Sequence, residues 1–183
     1  MRLKYLLPAL LVLLMPAFAQ QPDRVELFGG YSYTRYSVYD LNSSSWNRFG
    51  YNGWEAAANA KLTSIFAAEV DFSGGSASPY GQSSTLHTYM FGPRISANVR
   101  RATVYGHVLF GGLTFNIAGL SSTSFAADFG TGADLWLTHH FGARLIQADY
   151  IESDNIAAAR GVSSTYSRNQ GRISTGLVFR FGH

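Results

Sequence analysis

The chain has 183 residues, 46% of them hydrophobic and 14% charged, and contains no cysteine. Disulfide scaffolds, thiolate metal sites and cysteine nucleophiles are thereby excluded, and the length fits one domain or two small ones. The formal charge is only +3, lysine occurs at Lys4 and Lys61 alone, and so sparse a lysine content is unusual for a surface that faces water.

Arg2 and Lys4 precede the apolar run from Leu6 to Leu14, and Ala17-Phe18-Ala19 supplies small residues at A-x-A spacing. This pattern is that of an export signal over residues 1–19, cleaved after Ala19 to leave residues 20–183. Loss of Arg2 and Lys4 would leave 12 Lys+Arg against 11 Asp+Glu. A near-neutral mature chain offers no electrostatic footprint for nucleic acid.

From Val25 onward the apolar period is two, the signature of half-buried strands. The first segment sets Val25, Leu27, Gly29, Tyr31 and Tyr33 against Glu26, Phe28, Gly30, Ser32 and Thr34. The second sets Trp54, Ala56, Ala58, Ala60 and Leu62 against Glu55, Ala57, Asn59 and Lys61. Phe66, Ala68, Val70 and Phe72 then oppose Ala67, Glu69, Asp71 and Ser73, and Tyr89, Phe91, Pro93 and Ile95 oppose Thr88, Met90, Gly92 and Arg94. A less regular fifth segment sets Val104, Val108 and Phe110 against Tyr105, His107 and Leu109. In the sixth, Phe129, Thr131, Ala133, Leu135 and Leu137 face away from Gly130, Gly132, Asp134 and Trp136. The seventh opposes Ile146, Ala148 and Tyr150 to Leu145, Gln147 and Asp149. The eighth opposes Ile173, Thr175, Leu177, Phe179 and Phe181 to Arg172, Ser174, Gly176, Val178 and Arg180. Each segment is about the 9–11 residues with which a tilted strand crosses a bilayer.

Tight turns are expected near Thr63, Asn98 to Arg101 and Thr138 to Phe141, and long polar connections over 36–52, 74–86, 114–124 and 152–170. Short turns at one rim and long loops at the other suit an eight-stranded antiparallel up-and-down transmembrane β-barrel with both termini on the short-turn side. The faces agree: one is almost free of charge and carries small residues with aromatics, as a lipid-facing wall does, while the other holds most of the charge.

Four stretches then resemble the OmpA-type outer-membrane β-barrel family of small bacterial barrels: Val25 to Tyr33, Tyr89 to Arg94, Gly130 to Asp134, and Ser174 to Phe181. The last matches that family's C-terminal insertion pattern of polar-x-Gly-x-x-aromatic-x-aromatic, on Gly176, Phe179 and Phe181, although Gly182 and His183 follow it. The resemblance implies residence in the outer membrane of a Gram-negative-type cell among outer-membrane lipid and lipopolysaccharide, with insertion by the barrel assembly machinery and periplasmic chaperones. Because the chain ends with the barrel, a peptidoglycan-binding domain of the kind many larger relatives carry is not expected, and a monomer is expected.

On this reading Glu26, Glu55, Lys61, Glu69, Asp71, Arg94, Asp134, Asp149, Arg172 and Arg180 face the lumen. An eight-stranded lumen is just wide enough for side chains to fill, so these charges are expected to pair as a plug, the acids of the second and third strands meeting Arg94, Arg172 and Arg180. Arg144 either pairs with Asp134 or extends to the membrane surface.

The function expected is structural or surface-interacting, without turnover or cofactor, and the alternatives are a lipid A-modifying enzyme or a narrow porin-like channel. The enzyme would draw on His87 or His107 with a Ser or Thr and Glu69 or Asp71, but no spacing marks a triad, and a structural histidine at the rim is expected instead. His139 and His140 occupy a turn and, pointing to opposite faces, are not expected to share a metal. Gly130-x-Gly132 lacks the third glycine and following helix of a dinucleotide loop, and is expected to let the wall bend. Tyr36, Tyr39, Trp46, Phe49 and Tyr51 make the first long connection aromatic, suited to covering the rim at headgroup level or to recognition.

Overall fold

The computed structural model describes residues 25–40, 45–117, 119–153 and 169–182; the expected export signal lies outside them. Eight strands run in chain order: β1 (Val25–Asp40), β2 (Ser45–Lys61), β3 (Phe66–Ala77), β4 (Ser84–Val99), β5 (Ala102–Ile117), β6 (Leu120–Trp136), β7 (Phe141–Ser153) and β8 (Asn169–Phe181). Each pairs antiparallel with its chain neighbour, and β1 closes on β8 through registers such as Glu26↔Arg180 and Ser32↔Ser174. Closure leaves no strand edge unpaired, which is the condition for a sheet to sit in lipid.

Two of the three short turns repeat one chemistry. Leu62-Thr63-Ser64-Ile65-Phe66 and Leu137-Thr138-His139-His140-Phe141 both bond the Leu and Thr amides to the Phe carbonyl, while the Thr hydroxyl accepts from the Phe amide at 3.0 Å. A Ser/Thr side chain that mimics a backbone acceptor is a known turn-maker. The third turn is the two-residue link Arg100-Arg101, in which Arg100 takes φ +53° as a tight hairpin demands.

The alternation separates two environments. Leu27, Tyr31, Trp54, Phe66, Val70, Phe72, Ile95, Phe129, Ile173 and Phe179 all point outward, and Phe91 is 66% exposed. An apolar band of this extent marks a surface that meets something other than water. One face assignment is corrected. Leu145 turns outward beside Ile146 because the β7–β8 register shifts between Arg144 and Gln147, and the extra residue of the bulge reverses the alternation locally.

The long connections are corrected as well. β1 and β2 stay paired to Asp40↔Ser45, β3 reaches Ala77 before a 3-10 turn at Pro79–Gly81, and β5 and β6 pair to Ile117↔Leu120. Of the 152–170 connection, β7 claims residues to Ser153 and β8 those from Asn169, and 154–168 lie outside the described residues. Ladder bonds are made by the backbone, so Ser-, Thr- and Asn-rich segments continue a strand once their outer face no longer has to be apolar.

Tyr36 and Tyr51 fall within these extensions and point inward. With Phe115 they form an aromatic group (Tyr36–Phe115 stacked, centroids 5.6 Å apart) over Leu86, Met90, Leu109, Leu113 and Ile151. Phe49 packs against the same cluster, so Tyr36, Phe49 and Tyr51 of the first long connection pack inward rather than coat the rim; Tyr39 and Trp46 have side chains outside the described set.

A lipid-facing band makes a position-dependent demand. Refolded into lipid vesicles, Val70→Arg in mid-strand is expected to lose about 2–4 kcal/mol and Ile65→Arg in the turn about 0–1 kcal/mol. Equal losses at the two positions in denaturant titrations would refute the band.

Candidate functional site in the barrel interior

Among the described residues, seven acidic side chains are buried in the lumen. Burial of a charge costs several kcal/mol, roughly, unless a partner and hydrogen bonds offset it, so the arrangement of cations decides whether the interior is tenable.

At the short-turn end Arg180 places Nη2 2.7 Å from Glu26, and Lys61 lies 3.9 Å from the same carboxylate. The Arg180 guanidinium also covers the Trp136 ring at 3.5 Å, while the indole N–H donates to the Thr103 hydroxyl at 2.9 Å. Arg180 therefore meets β1, not the acids of β2 and β3, because Glu26↔Arg180 are direct partners across the closing seam.

One level further in, Arg94 bridges Glu69 (3.3 Å) and Asp134 (3.2 Å) and lies over the Tyr105 ring. Arg144 donates from Nε to Asp134 at 2.9 Å and stacks on Phe28, which places it inside the barrel and not at the membrane surface. With its amide oriented to satisfy both neighbours, Asn59 joins this level to the one below, donating to Glu26 at 3.2 Å and accepting from Arg94 at 3.3 Å.

The third level centres on Arg172, whose side chain is fully shielded. Its Nε donates to Asp149 at 2.7 Å and lies 3.2 Å from Glu55; Nη1 donates to Asp71 at 2.9 Å and Nη2 to Asp128 at 3.0 Å. Gln147 ties the levels together, donating to Glu55 and Asp149 and accepting from the Tyr105 hydroxyl and from Arg144. The Ser174 hydroxyl completes Glu55.

His107 sits in this network rather than at the rim. Its Nδ1 lies 3.4 Å from Glu69 and its Nε2 lies 3.3 Å from Asp149 and 4.0 Å from Asp128. The partners are carboxylates: among the described residues neither ring nitrogen bonds a Ser or Thr hydroxyl. His87 is exposed on the outer face of β4, apart from Glu69 and Asp71 inside. His139 and His140 are both exposed in the turn before β7.

Gly130 and Gly132 make room for side chains. A Cβ at Gly130 would run into His107 Nε2 and Asp149 Oδ1, and one at Gly132 into the Tyr105 ring. Gly176 faces Gly30 across the β1–β8 seam, where a Cβ on either would strike the opposite backbone, while Phe179 and Phe181 point outward and Phe179 meets Phe141 edge-on at 5.1 Å.

Asp128, Gln147 and Ser174 belong to the network beside the charges expected from the sequence. Asp128 was legible, since Asp128, Gly130, Gly132 and Asp134 alternate on one face; starting the strand at Phe129 hid it.

Comparison with protein-family models gives no match, and neither does comparison with curated protein sequences. Solved structures do match. Neisserial surface protein A is similar at 12% identity and a TM-score of 0.62, covering 85% of this chain and 97% of its own. The outer membrane protein OprG of Pseudomonas aeruginosa matches at 10% identity and 0.56, over 89% and 98%. Ail, the attachment invasion locus protein of Yersinia pestis, matches at 15% identity and 0.55, over 87% and 99%. The likeness is one of fold, and it is the fold of small eight-stranded outer-membrane barrels.

Removing Arg172 strands several carboxylates at once. Arg172→Met is expected to cost about 3–5 kcal/mol in denaturant titrations of the folded barrel, and Arg180→Met, whose guanidinium is partly solvated, clearly less. A neutral Arg172→Met would mean that the network does not hold the barrel.

Proposed function

We propose that the chain is an outer-membrane barrel of the OmpA type with a structural or surface-interaction role, closed to ions and without catalytic turnover. The observation that carries this reading is the filled lumen. Three levels of paired charge are followed by an apolar and aromatic layer from Met90 to Tyr36, all of it buried inside the barrel. Wide aqueous channels belong to barrels of about 16 strands, whereas eight strands leave only room that side chains fill.

Several features support the placement. The outward band suits outer-membrane lipid and lipopolysaccharide, residues 1–19 suit export, and Gly176, Phe179 and Phe181 suit recognition by the barrel assembly machinery after chaperone escort. A sheet with no free edge offers no strand for edge-to-edge pairing with a second copy, which supports a monomer. Against an acyl-transfer or hydrolytic role stands the setting of His107, which faces carboxylates and, among the described residues, bonds no hydroxyl.

Two measurements test the reading together. In outer membranes isolated from cells expressing the full chain, the protein is expected to change apparent mass on SDS gels when boiled. In planar bilayers the same protein is expected to add no single-channel current above background. Recovery in the soluble periplasmic fraction would overturn the membrane reading, and stepwise currents that vanish on heating would overturn the plug.

A further inference from the structure

Beyond plugging the lumen, the network contains a group of buried atoms that face one another without completing a hydrogen bond. His107 on β5, Gly130 on β6 and Asp149 on β7 share one rung across three adjacent strands, and Asp128 stands two residues along β6 on the same face. Asp128 and Asp149 each commit one oxygen, Oδ2, to Arg172. Their other oxygens, Oδ1, are fully buried without a hydrogen-bond partner, and so is His107 Nε2. These three atoms lie within 4.8 Å of one another.

We propose that His107 Nε2, Asp128 Oδ1 and Asp149 Oδ1 form a binding site for a divalent transition-metal ion of the zinc class. Three independent features fit. Ligands about 2.0–2.1 Å from a tetrahedral ion stand roughly 3.3 Å apart, and Nε2 is 3.3 Å from Asp149 Oδ1. Asp128 Oδ1 lies 4.0 Å from Nε2 and would move closer to join. The second feature is Glu69, whose Oε1 lies 3.4 Å from His107 Nδ1, the orienting carboxylate that metal-bound imidazoles characteristically have behind them.

The third is charge. Glu55, Asp71, Asp128 and Asp149 all face the single guanidinium of Arg172; with the His107 imidazole neutral, as a metal ligand is, that leaves an excess of three negative charges, which a dication would reduce to one. One imidazole with two carboxylates suits zinc-like ions better than the all-oxygen shells of calcium or magnesium. The glycine at position 130 keeps the space open, since a methyl group there would lie against both Nε2 and Asp149 Oδ1.

The test uses the full untagged chain refolded in detergent with Zn2+ or Co2+, freed of loose metal by dialysis against chelator, and checked for the heat-dependent gel shift. About one equivalent of zinc per chain is expected to remain, and the Co2+ form is expected to show the intense ligand-field absorption of a four-coordinate site. His107→Gln is expected to lose both signals while keeping the gel shift, and Glu69→Gln to bind about 10–100-fold more weakly. A His139→Gln/His140→Gln double variant is expected to retain the metal. Wild-type protein that shows the gel shift but holds no metal, whether offered before or after folding, would overturn the site. So would metal retained in full by His107→Gln, which would place it on the exposed histidines. Because the gel shift reports the barrel without reference to metal, failure of the site leaves the barrel reading separately testable.

Discussion

The interior of this barrel depends on one guanidinium. Arg172 meets carboxylates from β2, β3, β6 and β7, so it makes a contact across the lumen in several directions at once. Most of the partners are remote in sequence, as in Glu55 with Arg172 or Glu26 with Arg180, and come together only when β8 has closed on β1. An ion network of this kind adds little stability over an apolar filling of the same volume, but it is costly to assemble in the wrong register. Displacing a strand by one residue would send each lumen carboxylate on that strand to the outer face.

The outer wall and the inner filling solve different problems with one alternation. Outside, bulky apolar and aromatic side chains give the sheet a solvent it can tolerate without further pairing. Inside, the sheet's small circumference makes long side chains the natural filling, and arginine combines reach, five donors and a flat face that lies on Phe28, Tyr105 or Trp136. Toward the longer hairpins the filling changes character. Tyr36, Tyr51 and Phe115 replace the ion pairs, and the Tyr51 and Ser84 hydroxyls bond each other at 2.9 Å. The hydroxyl finds a buried partner and the ring supplies volume, so this end is sealed without further charge.

Strand count, pairing order and the two faces were legible in the sequence because lipid enforces a strict period of two. Legibility failed where that enforcement stops. Residues 36–40, 45–52, 114–117 and 120–124 carry Ser, Thr, Asn and Gly on strands that continue as ladders, so composition read as loop what the backbone keeps as sheet. The bulge beside Leu145 leaves no mark in hydropathy, since Leu145 and Ile146 suit lipid equally well. The lumen charges could be assigned to a face, but their partners could not. Pairing depends on which rungs face one another across the closed cylinder, and that is why Arg180 was expected on β2 and β3 and lies on Glu26 instead. His107 was the hardest residue to place. Its strand has the weakest alternation, and the glycine that makes room for it stands on the neighbouring strand.

The account stands or falls on whether Arg172 is dry and held by its carboxylates in a membrane. Solvent exchange of the guanidinium protons, followed by nitrogen-15 NMR of the protein in lipid and assigned by comparison with Arg172→Lys, reports this directly. A closed, paired interior requires separate, slowly exchanging Nη protons that persist long after transfer to heavy water. A single averaged guanidinium signal that exchanges within the dead time would contradict it, because it would put mobile water at the centre of the barrel.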